Sequence, residues 1–111
     1  MNCTINVYAA FKREFKRLRK RYKSLDKDLE RLEKELLQNP EMGSDLGGGL
    51  RKVRMSIASK GKGKSGGARV ITLIILLSPE EKEIGLHYIY DKSEKENITD
   101  SELQEILIKN L

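Results

Sequence analysis

The chain has 111 residues, 22 of them Lys or Arg and 17 Asp or Glu, for a formal net charge of +5. That length suits one domain over residues 1–111 with a modest core, and the basic surplus points to a polyanionic partner. A single cysteine, Cys3, excludes an internal disulfide and predicts a reducing compartment. The longest apolar run, near residues 70–77, is far too short to span a membrane. The first residues, MNCTINVYAAFKRE, lack a basic start followed by a long apolar stretch, which predicts no signal peptide, no membrane partner and a cytoplasmic location.

Residues 4–9 (TINVYA) alternate and carry β-branched side chains, which predicts a short first strand. Tyr8, Phe11, Phe15, Leu18 and Tyr22 then fall at helical spacing. Lys12, Arg13, Lys16, Arg17, Arg19, Lys20, Arg21 and Lys23 crowd the other faces of this helix, with Glu14 the only acid among them. Like charges one turn apart oppose a helix by about a few tenths of a kcal/mol per pair, so packing of the apolar stripe must hold it. Ser24 is a candidate N-cap for a second helix whose stripe is Leu25, Leu29, Leu32 and Leu36, ending at Asn39-Pro40. Residues 41–50 read as an irregular loop marked by Gly47-Gly48-Gly49.

Strands are expected near 51–59, 68–77 and 84–91. The second is apolar on both faces and belongs in the middle of a sheet. Thr99 with Glu102, and Ile98 with Leu103, give a capping box and a hydrophobic staple that start a final helix. The expected order is β-α-α-β-β-β-α, an α+β fold: a small, mostly antiparallel sheet with an N-terminal helical hairpin packed on it and a C-terminal helix, helices backing it on one side.

The chemistry concentrates between Arg51 and Arg69, where Arg51, Lys52, Arg54, Lys60, Lys62, Lys64 and Arg69 occur with no acid. Period-2 alternation sends Val53, Met55 and Ile57 to a core face and Lys52, Arg54 and Ser56 to an open one. The Gly/Lys/Ser loop that follows offers backbone N–H groups and ammonium groups together, which suits phosphate oxygens. A P-loop is excluded: Ala58 stands where its first glycine would be, a strand rather than a helix follows, and there is no βαβ frame. With one Cys and one His no local metal cluster can form, and His87, in the last strand, reads as structural. Tyr90, Lys92 and Lys95 at that strand's end could aim a phenol and two ammonium groups into a cleft. The excess of one sign on the first helix favours a nucleic-acid contact surface.

Nearly the whole chain resembles the RelE/ParE superfamily of toxins from toxin–antitoxin pairs, most nearly the HigB-like branch of RelE toxins. The residues that carry the resemblance are Phe11-Lys12-Arg13-Glu14-Phe15-Lys16-Arg17-Leu18, Asn39-Pro40 with Gly43, Arg51-Lys52-Val53-Arg54, Gly61 through Ile71, and Ile89-Tyr90-Asp91-Lys92-Ser93-Glu94. The resemblance implies a ribosome-dependent endoribonuclease that cuts messenger RNA by attack of a 2′-hydroxyl on the adjacent phosphate, without metal or cofactor. It also implies a cognate antitoxin, and binding of operator DNA only as the toxin–antitoxin complex. Carried over, Lys52 and Arg54 match the basic strand, Arg69 the arginine on the scissile phosphate, and Lys92 a basic position after the last strand. Lys60, Lys62 and Lys95 are added as phosphate or RNA contacts, and Lys12 through Lys23 on the first helix as the grip on ribosomal RNA.

Two departures stand out. Ser93 occupies a position where many RelE toxins have arginine, and Thr99 lies near where relatives carry a tyrosine. Proton transfer is thereby left open among Tyr90, Lys64, Lys92 and Lys95. A ParE-like inhibitor of DNA gyrase that only binds, and a toxin that has lost catalysis, are the alternatives within the same fold.

Overall fold

The computed structural model describes residues 2–111. The elements are β1 (Asn2–Val7), α1 (Ala9–Arg21), α2 (Leu25–Gln38), β2 (Ser44–Gly47), β3 (Leu50–Met55), a 3-10 turn (Ala58–Lys60), β4 (Ala68–Ser78), β5 (Glu81–Asp91) and α3 (Asp100–Lys109). The five strands form one sheet in the order β1-β5-β4-β3-β2, with β1 parallel to β5 and the other pairs antiparallel. The α+β class, the helical hairpin and the central place of β4 match the expectation from sequence.

Leu18, Leu25, Leu32 and Leu36 of the helical hairpin bury against Val53, Val70, Ile84 and Ile89 on one face of the sheet. Each such side chain contributes about 1.5–3 kcal/mol through lost water contact, enough to outweigh the like-charge repulsion along α1. On the opposite face Ile71 and Tyr90 pack against Leu103, with Ile98 and Leu107 beside them. The C-terminal helix therefore covers the second face, not the one shared by the hairpin. The reason is the double-sided apolar pattern of β4, which leaves a patch on that face needing cover. Thr99 makes the expected capping box with Glu102. At its other end, Asn110 of the α3 C-cap donates to the His87 carbonyl (3.0 Å) and accepts from the Ala10 N–H (2.8 Å). His87 is buried and stacked on Tyr8 with ring centroids 4.0 Å apart, and burial lowers its pKa, so it is a neutral packing residue.

Other details also differ from the sequence expectation: the strand expected at 51–59 stops at Met55 and is followed by the 3-10 turn, and the strand expected at 84–91 already starts at Glu81. The first strand occupies Asn2–Val7 instead of residues 4–9. Residues 44–47 form a strand, because Gly48 and Gly49 both take the positive φ that a two-residue primed hairpin turn requires, closing the Gly47–Leu50 pair. Ser24 is the N-cap residue of α2 as expected, but its side chain makes no capping bond: the hydroxyl donates to the Asp28 carboxylate (2.8 Å) and accepts from the Ser59 N–H (2.9 Å), tying α2 to the loop after β3.

That loop, residues 56–67, is anchored near its start by two buried carboxylates, and its far end is held by the Lys60 Nζ bond to the Gly66 carbonyl (2.9 Å) and the Lys92 N–H bond to the Gly67 carbonyl (3.1 Å). Asp28, 1% exposed, accepts from the Ala58 N–H (3.2 Å) and Arg31 (2.7 Å). Asp91, with no exposed surface, accepts from Lys60 Nζ (2.6 Å), from the Tyr22 hydroxyl at the α1 C-cap, and from the backbone N–H (2.9 Å) and hydroxyl (2.7 Å) of Ser93. Burial alone would raise the Asp91 pKa; the hydrogen bonds from Lys60, Tyr22 and Ser93 outweigh it and hold the carboxyl well below the usual carboxylate range. Where the loop rejoins the sheet, Gly67 passes so close to β3 that a Cβ would lie 2.2 Å from the Met55 carbonyl oxygen.

Asp91→Asn leaves Lys60 buried without its counter-charge, and the expected loss of stability is about 3–5 kcal/mol, read from urea midpoints at pH 7. The folded pKa of Asp91 lies below its unfolded value of about 3.9, so its stabilisation is complete above that pH and fades as pH falls through it. The wild type should thus lose its advantage over the Asn variant on acidification; a constant gap down to the lowest pH at which both fold would contradict the assignment. Gly67→Ala should cost about 1–3 kcal/mol by overpacking, and an unchanged thermal midpoint would contradict this packing role for Gly67.

Candidate functional site

Strand register builds the site. Arg54 of β3 faces Arg69 of β4, and Arg69 faces Tyr90 of β5, one row across the sheet. The next row runs from Ser44 through Lys52 and Ile71 to Tyr88. Both rows lie on the face that α3 covers only at its apolar part, so their cationic end opens into a cleft of about 510 Å³ lined by Lys52, Arg54, Arg69 and Lys92. Its remaining lining is Ser44, Glu96 and Asn97. The far wall is the turn after β5: Lys92 Nζ donates to the Glu96 carbonyl (2.6 Å) and Lys52 Nζ to Asn97 Oδ1 (3.2 Å).

Arg69 is 6% exposed and supports the loop that rims the cleft, donating from Nη1 to the Lys64 carbonyl (3.1 Å) and from Nη2 to the Ser65 carbonyl (3.2 Å). A third bond goes from Nη1 to the Ala68 carbonyl (3.2 Å). A guanidinium has five donors, so two remain without a partner among the described residues. Burial, and then the adjacent Arg54 cation, lower the Arg69 pKa. Like charges directly opposite on neighbouring strands destabilise a sheet, and an anion seated between Arg54 and Arg69 would relieve both this repulsion and the open donors. The Tyr90 hydroxyl, buried beside them, also has no partner among the described residues. Burial raises its pKa, against the pull of the Arg69 and Lys95 cations, so it is a protonated donor at neutral pH.

The structure gathers some of the residues singled out from sequence and separates others. Lys52, Arg54, Arg69 and Lys92 share the cleft, and Tyr90 flanks it. Lys64 lies on the rim, its ammonium 3.6 Å from Glu35, and lines an adjoining cavity of about 250 Å³ with Lys52 and Arg54. Lys62 is exposed at the loop tip. Lys60 is placed otherwise: a buried carboxylate requires a cation, and Lys60 points inward to Asp91 and the Gly66 carbonyl (2.9 Å) instead of outward. Lys95 is paired with Glu102 in the first turn of α3, outside the cleft lining.

The cations of α1 also divide. Arg17 grips Glu94 with two bonds (2.7 and 3.0 Å) and Arg21 adds a third (3.1 Å), clamping the turn after β5 to α1. Arg19 pairs with Asp26 (3.0 Å) and Arg13 with Glu14 (3.6 Å). Lys12, Lys16, Lys20 and Lys23 have no ion-pair partner among the described residues. Ser44, Glu96 and Asn97 were not foreseen in the cleft; the Gly-Gly turn that makes β2 a strand was the one signal that could have placed Ser44 beside Lys52.

A small mixed sheet with a helical hairpin on one face, and a cationic cleft built from adjacent β3 and β4 positions on the other, narrows the family. The family model described as the RelE toxin of the RelE/RelB toxin–antitoxin system matches residues 8–109, and the chain belongs to that RelE toxin family.

Proposed function

We propose that this toxin, of the HigB-like branch, is an endoribonuclease that cuts translated messenger RNA on the ribosome. The observation that carries this reading is the Arg54–Arg69 pair facing each other across β3 and β4, with Lys52 and Lys92 on either side of the same cleft. In the proposed reaction the 2′-oxygen of the substrate attacks the neighbouring phosphorus and the bond to the 5′-oxygen breaks. The products are a 2′,3′-cyclic phosphate and a 5′-hydroxyl. The five-coordinate phosphorus carries added negative charge, which the preorganised cations of this cleft would meet without rearranging.

One proton must leave the 2′-hydroxyl and one must reach the 5′-oxygen. Of the four candidates, Lys92 and Lys64 line the open volume, whereas Lys95 lies outside it and Tyr90 is buried. Lys92 and Lys64 are therefore assigned the proton transfers, and Tyr90 a supporting bond to Arg69 or to a phosphate oxygen. Lys52 and Arg54 hold the phosphate, with Lys62 on the rim as an RNA contact. The unpaired lysines of α1 are assigned to ribosomal RNA.

Arg54 is exposed and has no protein partner among the described residues, so Arg54→Ala should fold normally while cutting about 10²–10³-fold more slowly. Primer extension on cellular messenger RNA after brief induction reads this directly. Discrete cuts within translated regions, lost in the Arg54 variant, are the expected result. Growth arrest by the wild type with messenger RNA intact would reject cleavage and favour binding to gyrase.

A further inference from the structure

The two edges of the sheet are built differently. At one edge β2 is four residues long, has an irregularity between Asp45 and Gly47, and carries the Asp45 carboxylate. Shortness, a bulge and a charge all keep an edge from pairing with another chain. At the other edge β1, with the sequence NCTINV, runs six residues in unbroken register with β5 and carries no charge and no proline. The Asn2 and Tyr8 N–H groups donate to the Glu80 and Leu86 carbonyls, so the even-numbered residues of β1 bond to β5. The backbone N–H and C=O groups of Cys3, Ile5 and Val7 therefore point away from the sheet, where β1 has no second strand.

The side chains of those three residues are half-buried against the core under the helical hairpin, whereas Asn2, Thr4 and Asn6 are exposed on the opposite face. Val7 carries the apolar surface onward into a cavity of about 290 Å³ that it lines with Phe11, Phe15 and Leu29. A strand added at this edge would satisfy the outward backbone groups and bury the open parts of Cys3, Ile5 and Val7.

The edge is complementary to itself. Antiparallel pairing about a twofold axis at Ile5 sets Ile5 opposite Ile5, Cys3 opposite Val7 and Thr4 opposite Asn6. Apolar side chains then meet apolar ones on one face, hydroxyl meets amide on the other, and no like charges oppose.

We propose that β1 is a homodimerisation edge, through which two copies of this chain pair antiparallel and join their sheets into one. The contact is isologous and closed, and it leaves the Arg54–Arg69 cleft open in both copies, since β5 and β4 stand between. The inference stands on β1 and does not depend on RNA cleavage.

Sedimentation equilibrium of the full chain over a concentration series tests it, with amide hydrogen exchange of the ¹⁵N-labelled chain alongside. The expected result is a dimer that forms with concentration and slows exchange at the Cys3, Ile5 and Val7 amides. The Thr4 and Asn6 amides, already bonded to β5, should not change. Thr4→Lys/Asn6→Lys alters two exposed positions, sets Lys against Lys across the interface, and should weaken dimerisation by about tenfold. Thr4→Lys/Asn6→Glu sets Lys against Glu and should restore it. A chain that stays monomeric throughout the series would leave the edge to some other partner and overturn the proposal. So would a dimer indifferent to the paired lysines, or one whose Cys3, Ile5 and Val7 amides still exchange freely.

Discussion

Asp91 is an ionised carboxylate with no exposed surface at the end of the central hairpin, and the working end of the molecule is organised around it. In a low-dielectric interior an unpaired charge is prohibitively costly, so its partners have little freedom to be elsewhere. Those partners come from three separate segments: Tyr22 from the end of α1, Lys60 from the loop after β3, and Ser93 from the turn after β5. The same turn carries Lys92 and Asn97 into the cleft wall, and the same loop carries Lys64 onto its rim. One buried charge therefore sets the relative positions of both sides of the cleft.

Around that anchor the cleft is an electrostatically strained arrangement by intent of geometry. The register of β3 against β4 forces Arg54 and Arg69 together, and the loop carbonyls of Lys64 and Ser65 hold the Arg69 guanidinium in place. Those carbonyls partly offset its charge without neutralising it. On the proposed reading, cations held in this way would need no reorganisation as negative charge develops on a phosphate.

The basic first helix serves more than one purpose. Arg17 and Arg21 are structural, fastening Glu94 and with it the turn that bounds the cleft. Lys12, Lys16, Lys20 and Lys23 stay available for partners.

Periodicity in the sequence was sufficient for the helical hairpin, the central strand, the capping box at Thr99 and the open cationic face of β3. Each of these is decided by neighbours within a few residues. The basic strand was legible for the same reason, since alternation alone separates Lys52 and Arg54 from Val53 and Met55, whereas the role of Arg69 was implied by the resemblance to RelE toxins and not by local pattern. What only the tertiary structure decided are the pairings between distant segments. Lys60 and Lys62 are chemically alike and two residues apart, yet one is buried against Asp91 and the other is exposed, because a carboxylate 31 residues away lies within reach of only one of them. Arg17 and Lys16 differ likewise through Glu94, 77 residues from Arg17. The face taken by α3, the strand formed by residues 44–47, and the place of Ser44, Glu96 and Asn97 in the cleft follow from strand order and register. Local sequence specifies which side chains can bury or carry charge; which charge meets which is settled by the packing that brings them together.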